Sequence, residues 1–180
     1  LVKIYNDIFD VDLLKDIVWY HNECKKDSSK GHFWTNHSWD EGIVKDSGLV
    51  LCLDIADKFG QTLFNVCKEN DVFINEKGVD LGTPKSTSVM LYNWQRYSYI
   101  PFHSDQHASI GATLFLNPRW DKNWGGAQIY VDDDRHYIEY PEFNKMCVHY
   151  TKEDQNGHST TMVHPGAPDR LTIQMFFRYK

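Results

Sequence analysis

His103 and Asp105 stand two residues apart in IPFHSDQHAS, a stretch whose neighbours read as extended chain. Alternate residues of a strand point the same way, so an imidazole and a carboxylate so placed converge on one point. A third donor from a later strand would complete a two-histidine, one-carboxylate set, which grips one face of a divalent ion and leaves its other positions open. His158, at the head of HSTTMV after the loop TKEDQNG, is one candidate. His164, in VHP, is the other. The short run from His164 to Arg170 leaves little room for a strand end, a turn and a return, so His158 is preferred. A different ion is conceivable if this stretch is helical: His107, four residues after His103, would then join it as a zinc pair. The segment IPF before the pair and Gly111 after it speak against that helix.

Arg170 opens the last strand-like run, and Thr172, two further on, shares its face. A guanidinium fork with a hydroxyl beside it suits a carboxylate, since Arg binds both carboxylate oxygens at once. An Arg entering an interior lined by residues such as those of MFF is costly without a counter-charge. An anionic ligand is therefore expected inside.

The elements that must position these groups fall into two halves. Asp10 is a plausible N-cap for a helix carrying Leu13, Leu14, Ile17, Val18 and His21 at helical spacing. A second helix is expected after Ser47 to about residue 68, with Leu49, Leu53, Ala56, Leu63 and Cys67 on one face. Between them GHFWTNHSWDEG is aromatic and aperiodic, and reads as a loop covering a pocket. From about residue 86 the period changes to that of strands, at STSVMLYNW, ASIGATLFLN, AQIYV, NKMCVHY, HSTTMV and RLTIQMFFRY. Six such runs after two helices predict a mainly β, α+β fold: a double-stranded β-helix, or jelly roll, buttressed by the N-terminal helices. The chain reads as one domain over 1–180, with 1–85 a mainly helical support region and 86–180 a jelly-roll catalytic core.

Composition narrows the functional classes. With 41% apolar and 14% aromatic residues the 180-residue chain can bury a full core. Its 19 Lys and Arg against 25 Asp and Glu leave a net charge of −6, which disfavours non-specific nucleic-acid binding. Cys24, Cys52, Cys67 and Cys147 form no CxxC pair, so reduced thiols and a soluble, cytoplasmic setting are expected. No apolar run is long enough for a membrane span.

The ordered series LYNW, HSD, ATLFLN, WDKNWGGAQIYV, YPEFNKMCV, NGH and APDRLTIQMFF, over about residues 89–178, resembles the Fe(II)- and 2-oxoglutarate-dependent dioxygenases, most closely the prolyl-hydroxylase-like branch. The resemblance implies His103, Asp105 and His158 as iron ligands, Arg170 on the distal carboxylate of 2-oxoglutarate with Thr172 as a helper, and Tyr92 adding its hydroxyl to that carboxylate. It implies O2-dependent hydroxylation of a prolyl residue in a peptide or protein, or of a free amino acid or other small metabolite, with release of succinate and CO2. Ascorbate would serve as reductant. The carboxylate at Asp105 favours hydroxylation over halogenation. Phe115 in LFLN stands where some relatives carry tyrosine, which removes one co-substrate hydrogen bond, and WQRYSYIPF lacks a glycine often found there. A zinc hydrolase on His103, His107 and a third residue, or a metal-stabilised jelly roll that only binds, are the rival readings.

The remaining aromatic and imidazole groups read more plainly. Trp120, Trp124, Gly125 and Gly126 suit a structural turn. Trp34, Trp39, Trp94, Arg96, Tyr97 and Tyr99 either grip a substrate at the pocket mouth or pack against the helices. His21, His32, His37, His136 and His149 read as surface or satisfied core histidines.

Overall fold

The computed structural model describes residues 2–26, 35–36, 50–75, 77–105, 108–132, 135–151 and 156–179. The loop expected at GHFWTNHSWDEG, apart from Thr35 and Asn36, lies outside them, with Trp34, Trp39, His32 and His37; so does His107. The chain opens with β1 (Val2–Asn6) and α1 (Val11–Lys26). Asp10 caps the helix as its sequence position predicts, its Oδ1 accepting the backbone N–H groups of Asp12 and Leu13 at 2.9 and 3.0 Å. After β2 (Thr35–Asn36) comes β3 (Val50–Asp54), then a π-helical turn over Ala56–Gly60 running into α2 (Gln61–Glu69).

The second helix therefore starts later than its apolar spacing implies, because VLCLD is a strand. Val50 and Cys52 point to one side and Leu53 to the other, an alternation that a helical reading of Leu49 and Leu53 overlooks. Asp54 ends the strand, its Oδ1 accepting the N–H of Ala56 at 2.9 Å to start the helical turn. Residues 1–85 thus supply three strands as well as helices.

The rest is β: β4 (Ser86–Trp94), β5 (Ile100–His103), β6 (Ile110–Phe115), β7 (Gln128–Asp132), β8 (Arg135–Glu139), β9 (Lys145–Tyr150), β10 (Asn156–Thr160) and β11 (Arg170–Arg178). Every pairing is antiparallel, in a seven-stranded sheet ordered β1-β9-β6-β11-β4-β3-β2 and a four-stranded sheet ordered β5-β10-β7-β8.

Strand parity divides the large sheet into two faces. Leu91 of β4, Ile110, Ala112 and Leu114 of β6, Met146 and Val148 of β9, and Ile173, Met175 and Phe177 of β11 share one buried cluster with Leu14, Ile17, Leu63 and Cys67 of the helices. The opposite parity, including Tyr92, Trp94, Gln174 and Phe176, joins Ile100, Gln128, His158 and Thr160 of the small sheet around one cavity of about 420 Å³. The large sheet therefore turns a hydrophobic face toward the helices, and its strands β3, β4 and β11 present a chemically mixed face to the cavity. No described helix is long and apolar enough to cross a membrane.

Candidate active site

Pairing of β5 with β10 sets His103 directly opposite His158, and the two rings lie 4.3 Å apart between centroids. Asp105 follows β5 by two residues and turns inward between them. Its Oδ1 is 3.7 Å from His103 Nε2 and its Oδ2 is 3.5 Å from His158 Nε2. One donor atom from each of the three residues lies within 4.8 Å of the others, and all three residues line the cavity. This donor set fits a first-row divalent ion with open positions.

The tautomer at His103 fits as well. Its Nδ1 is 2.9 Å from the carbonyl oxygen of Pro101, which can only accept, so Nδ1 carries the proton and Nε2 presents a lone pair. Burial holds the His158 imidazole well below its usual range, aided by His149 and His103 and opposed by Asp105. It is neutral, as a ligand must be. At Asp105 burial pushes the carboxyl up, but the contact with His149 and the nearby imidazoles of His158, His149 and His103 outweigh it and bring it down to about 2. The carboxylate is therefore ionised at any physiological pH.

His164 is not part of this group. It lies exposed in the turn before β11, where its Nδ1 accepts the N–H of Gly166 at 3.0 Å.

Arg170 is completely buried, and its Nε, Nη1 and Nη2 have no hydrogen-bond partner among the described residues. The guanidinium lies between two ring faces, 4.8 Å from the centre of Trp94 and 5.1 Å from that of Phe115. Burial draws it down to about 9, with Tyr130 and Cys147 acting in the other direction. It remains a cation at neutral pH. Phe115 offers it a ring and no hydroxyl.

Thr172 is buried on the same face of β11 and closes a chain of polar side chains. Tyr130 donates to Gln128 Oε1, Gln128 Nε2 to Thr113 Oγ1 at 2.9 Å, and Thr113 Oγ1 to Gln174 Oε1 at 2.7 Å. Gln174 Nε2 and Trp94 Nε1 then donate to Thr172 Oγ1, at 3.4 and 2.9 Å. With its oxygen accepting twice, the Thr172 hydroxyl proton is left as a donor beside Arg170. Tyr92 lines the cavity, and burial, with Cys52 and Asp105, keeps its phenol protonated.

Two expectations change. Trp94 is no aromatic of the pocket mouth: it is 1% exposed and forms the bed of Arg170, because its place on β4 opposite Arg170 turns it inward. Nor is His149 a surface or satisfied core histidine. Its ring lies 4.6 Å from that of His158, its Nε2 is 3.3 Å from Asp105 Oδ2, and neither ring nitrogen makes a well-formed hydrogen bond. Strand parity was the signal that could have found it, since Met146, Val148 and Tyr150 face the helices and His149 must then face the cavity side.

The turn residues hold this floor in place. Gly125 and Gly126 have φ of 66° and 64°, and a Cβ on Gly126 would stand 2.8 Å from Arg170 Cδ. Trp120 Nε1 donates to the Gly125 carbonyl at 2.9 Å and its ring meets that of Trp124 edge-on. Arg96 and Tyr97 are exposed and Tyr99 is half-buried; none lines the cavity.

No family model matches the sequence, and no curated protein sequence does. Solved structures do match the fold. A Pseudomonas putida prolyl-4-hydroxylase superposes with a TM-score of 0.70 at 15% identity, covering 99% of this chain and 92% of its own. A Trichoplax adhaerens prolyl hydroxylase, in complex with a hypoxia-inducible factor oxygen-degradation-domain peptide fragment, gives 0.77 at 13% identity over 99% and 83%. A Burkholderia pseudomallei oxidoreductase of the 2-oxoglutarate-Fe(II) oxygenase family gives 0.67 at 13% over 99% and 86%. Over nearly its whole length, this chain has the fold of the prolyl-hydroxylase-like 2-oxoglutarate oxygenases.

Proposed function

We propose that the protein is an Fe(II)- and 2-oxoglutarate-dependent oxygenase that hydroxylates an organic substrate. The observation that carries this reading is Arg170, a fully buried guanidinium with no hydrogen-bond partner among the described residues, stacked on the ring of Trp94, which lines the cavity of the His-Asp-His group. Leaving such a charge unpaired in the interior costs several kcal/mol, on the order that a bidentate carboxylate returns. A dicarboxylate satisfies both ends at once: one end chelates the metal and the other reaches the guanidinium.

In this reading His103, Asp105 and His158 hold Fe(II), and the neutral imidazole of His158 and the ionised carboxylate of Asp105 present lone pairs without losing a proton. Arg170 grips the distal carboxylate through its fork, the Thr172 hydroxyl donates to the same group, and Tyr92 adds a phenol donor. Trp94 and Phe115 exclude water from the guanidinium. Bound iron supplies the activation of O2 that couples decarboxylation of 2-oxoglutarate to hydroxylation, giving succinate and CO2, with ascorbate as an external reductant. The chain acts as one unit over 1–180, its two sheets forming a jelly roll with the helices supporting the large sheet.

A prolyl residue in a peptide is the first substrate choice, supported by the likeness to prolyl hydroxylases, one of them peptide-bound. One observation favours a small anionic metabolite such as a free amino acid instead. Arg178 lines the same cavity, and among the described residues its guanidinium donates to the neutral Ser88 Oγ, at 2.9 Å.

Thermal melts with Mn(II) and 2-oxoglutarate test the reading. A ligand bound only by the folded state at 100 times its Kd adds about 2.7 kcal/mol. The pair is expected to raise Tm above that with metal alone, and substrate-stimulated succinate formation should follow with Fe(II). Absence of any 2-oxoglutarate effect with every divalent metal at saturation would remove the oxygenase reading and leave the zinc hydrolase or the binding module.

A further inference from the structure

His149 sits in a space made for it. It faces Gly111 across the β6–β9 pair, and a Cβ on Gly111 would stand 2.2 Å from His149 Cε1 and 2.6 Å from its Nε2. No real side chain tolerates such an approach, so the imidazole lies over the backbone of β6 only because residue 111 is glycine. Its side chain is 13% exposed, its ring is flanked by Tyr130 at 5.7 Å and His158 at 4.6 Å, and the polar group it reaches is Asp105 Oδ2 at 3.3 Å. An imidazole buried this way without a partner is unfavourable. No nitrogen of His149 joins the mutually close donor group of His103, Asp105 and His158, although its Nε2 reaches the Asp105 carboxylate.

We infer that His149 is a positioning residue for the metal centre: its Nε2–H holds the Asp105 carboxylate by Oδ2, and Gly111 is the residue that admits it. The inference rests on the reading that the triad binds a divalent metal. A carboxylate on a two-residue tether after β5 is otherwise free to rotate about χ2, and exchange of its oxygens would blur the donor geometry. Anchoring Oδ2 from β9 commits Oδ1, the oxygen nearer His103 Nε2, to the ion. Partners of this kind around a ligating side chain change metal affinity by roughly 10- to 100-fold.

Calorimetric titration of Mn(II) into the full chain, with Tm measured for each variant, tests this. His149→Phe keeps the ring volume and loses the donor, so it is expected to fold and to weaken Mn(II) binding by at least roughly 10-fold. His149→Gln restores an N–H near the Nε2 position and is expected to recover part of the loss. Gly111→Ala displaces the imidazole without altering it and should match His149→Phe in Mn(II) affinity; combined with His149→Ala, which makes room at 111, it should lose nothing beyond His149→Ala alone. X-ray absorption of the Co(II)-loaded wild type is expected to count two imidazoles. Equal Mn(II) affinity in wild type and His149→Phe, or a third imidazole on Co(II), overturns the inference while leaving the metal centre intact. A wild type that takes up no Mn(II) overturns the metal reading itself.

Discussion

His158 faces His103 across two neighbouring antiparallel strands, with the Asp105 carboxylate between them. Of the two candidate third ligands, the ladder brings His158 to this pair, while His164 lies beyond the end of β10 in an exposed turn. We predict that His103→Ala, Asp105→Ala and His158→Ala each abolish Mn(II) binding and 2-oxoglutarate turnover, whereas His164→Ala keeps both. Titration of the four variants is the check; normal metal binding by His158→Ala would transfer the role to another residue.

Arg170 separates binding from stability. Arg170→Ala should weaken 2-oxoglutarate binding to the Mn(II)-loaded protein by about 30-fold or more, the equivalent of roughly 2 kcal/mol. Arg170→Lys should recover part of it, since Lys keeps the charge and loses the fork. Ligand-free Arg170→Met should melt no lower than wild type, because replacing an unpaired buried charge by an apolar chain of similar length is neutral or stabilising. An unchanged dissociation constant in Arg170→Ala would place the anion elsewhere.

Acid should destabilise the metal-free protein in two stages. His158 has a folded-state pKa below that of the unfolded chain, chiefly through burial, so the unfolded state takes up its proton first. Its contribution is complete above about pH 6.5 and is lost as pH falls below that. Asp105, at about 2 against about 3.9 unfolded, keeps its contribution until pH falls through that lower window. Urea midpoints between pH 7.5 and 5 should fall in the wild type and flatten in His158→Gln. Parallel slopes in the two proteins would count against this assignment.

Gly126→Ala should damage the co-substrate site from outside it. The substitution forces a positive φ on Ala and drives a methyl into Arg170 Cδ at 2.8 Å and Trp120 Cζ2 at 3.2 Å. Loss of about 1 kcal/mol or more in stability is expected from the backbone alone. 2-oxoglutarate affinity should fall while Mn(II) affinity without it holds. A variant with wild-type 2-oxoglutarate affinity would mean that Arg170 adjusts freely.

Each of the six short apolar runs from residue 86 onward contains a strand, HSTTMV only as far as Thr160, and the Asp10 cap places α1 correctly, because both patterns are local. The strand at Val50–Asp54 was hidden because Leu49, Leu53 and Ala56 also satisfy helical spacing, and only pairing with β4 chooses between the two periods. The convergence of His103 and Asp105 and the burial of Arg170 on the face of Thr172 were legible from their alternate spacing in the sequence. His149 was not, since its meaning depends on Gly111, a residue distant in sequence and joined to it by sheet register alone. The same holds for the Tyr130–Gln128–Thr113–Gln174 chain, whose members are separately unremarkable polar residues on three strands.

The pairing of Gly111 with His149 also constrains how this centre can be altered. A larger residue at 111 is admissible only after 149 has become small, and by then the contact to Asp105 is gone. The two positions therefore form a single mutational unit: substitutions tried one at a time at 111 fail for a reason that lies at 149. Libraries aimed at this cavity should vary the two positions jointly.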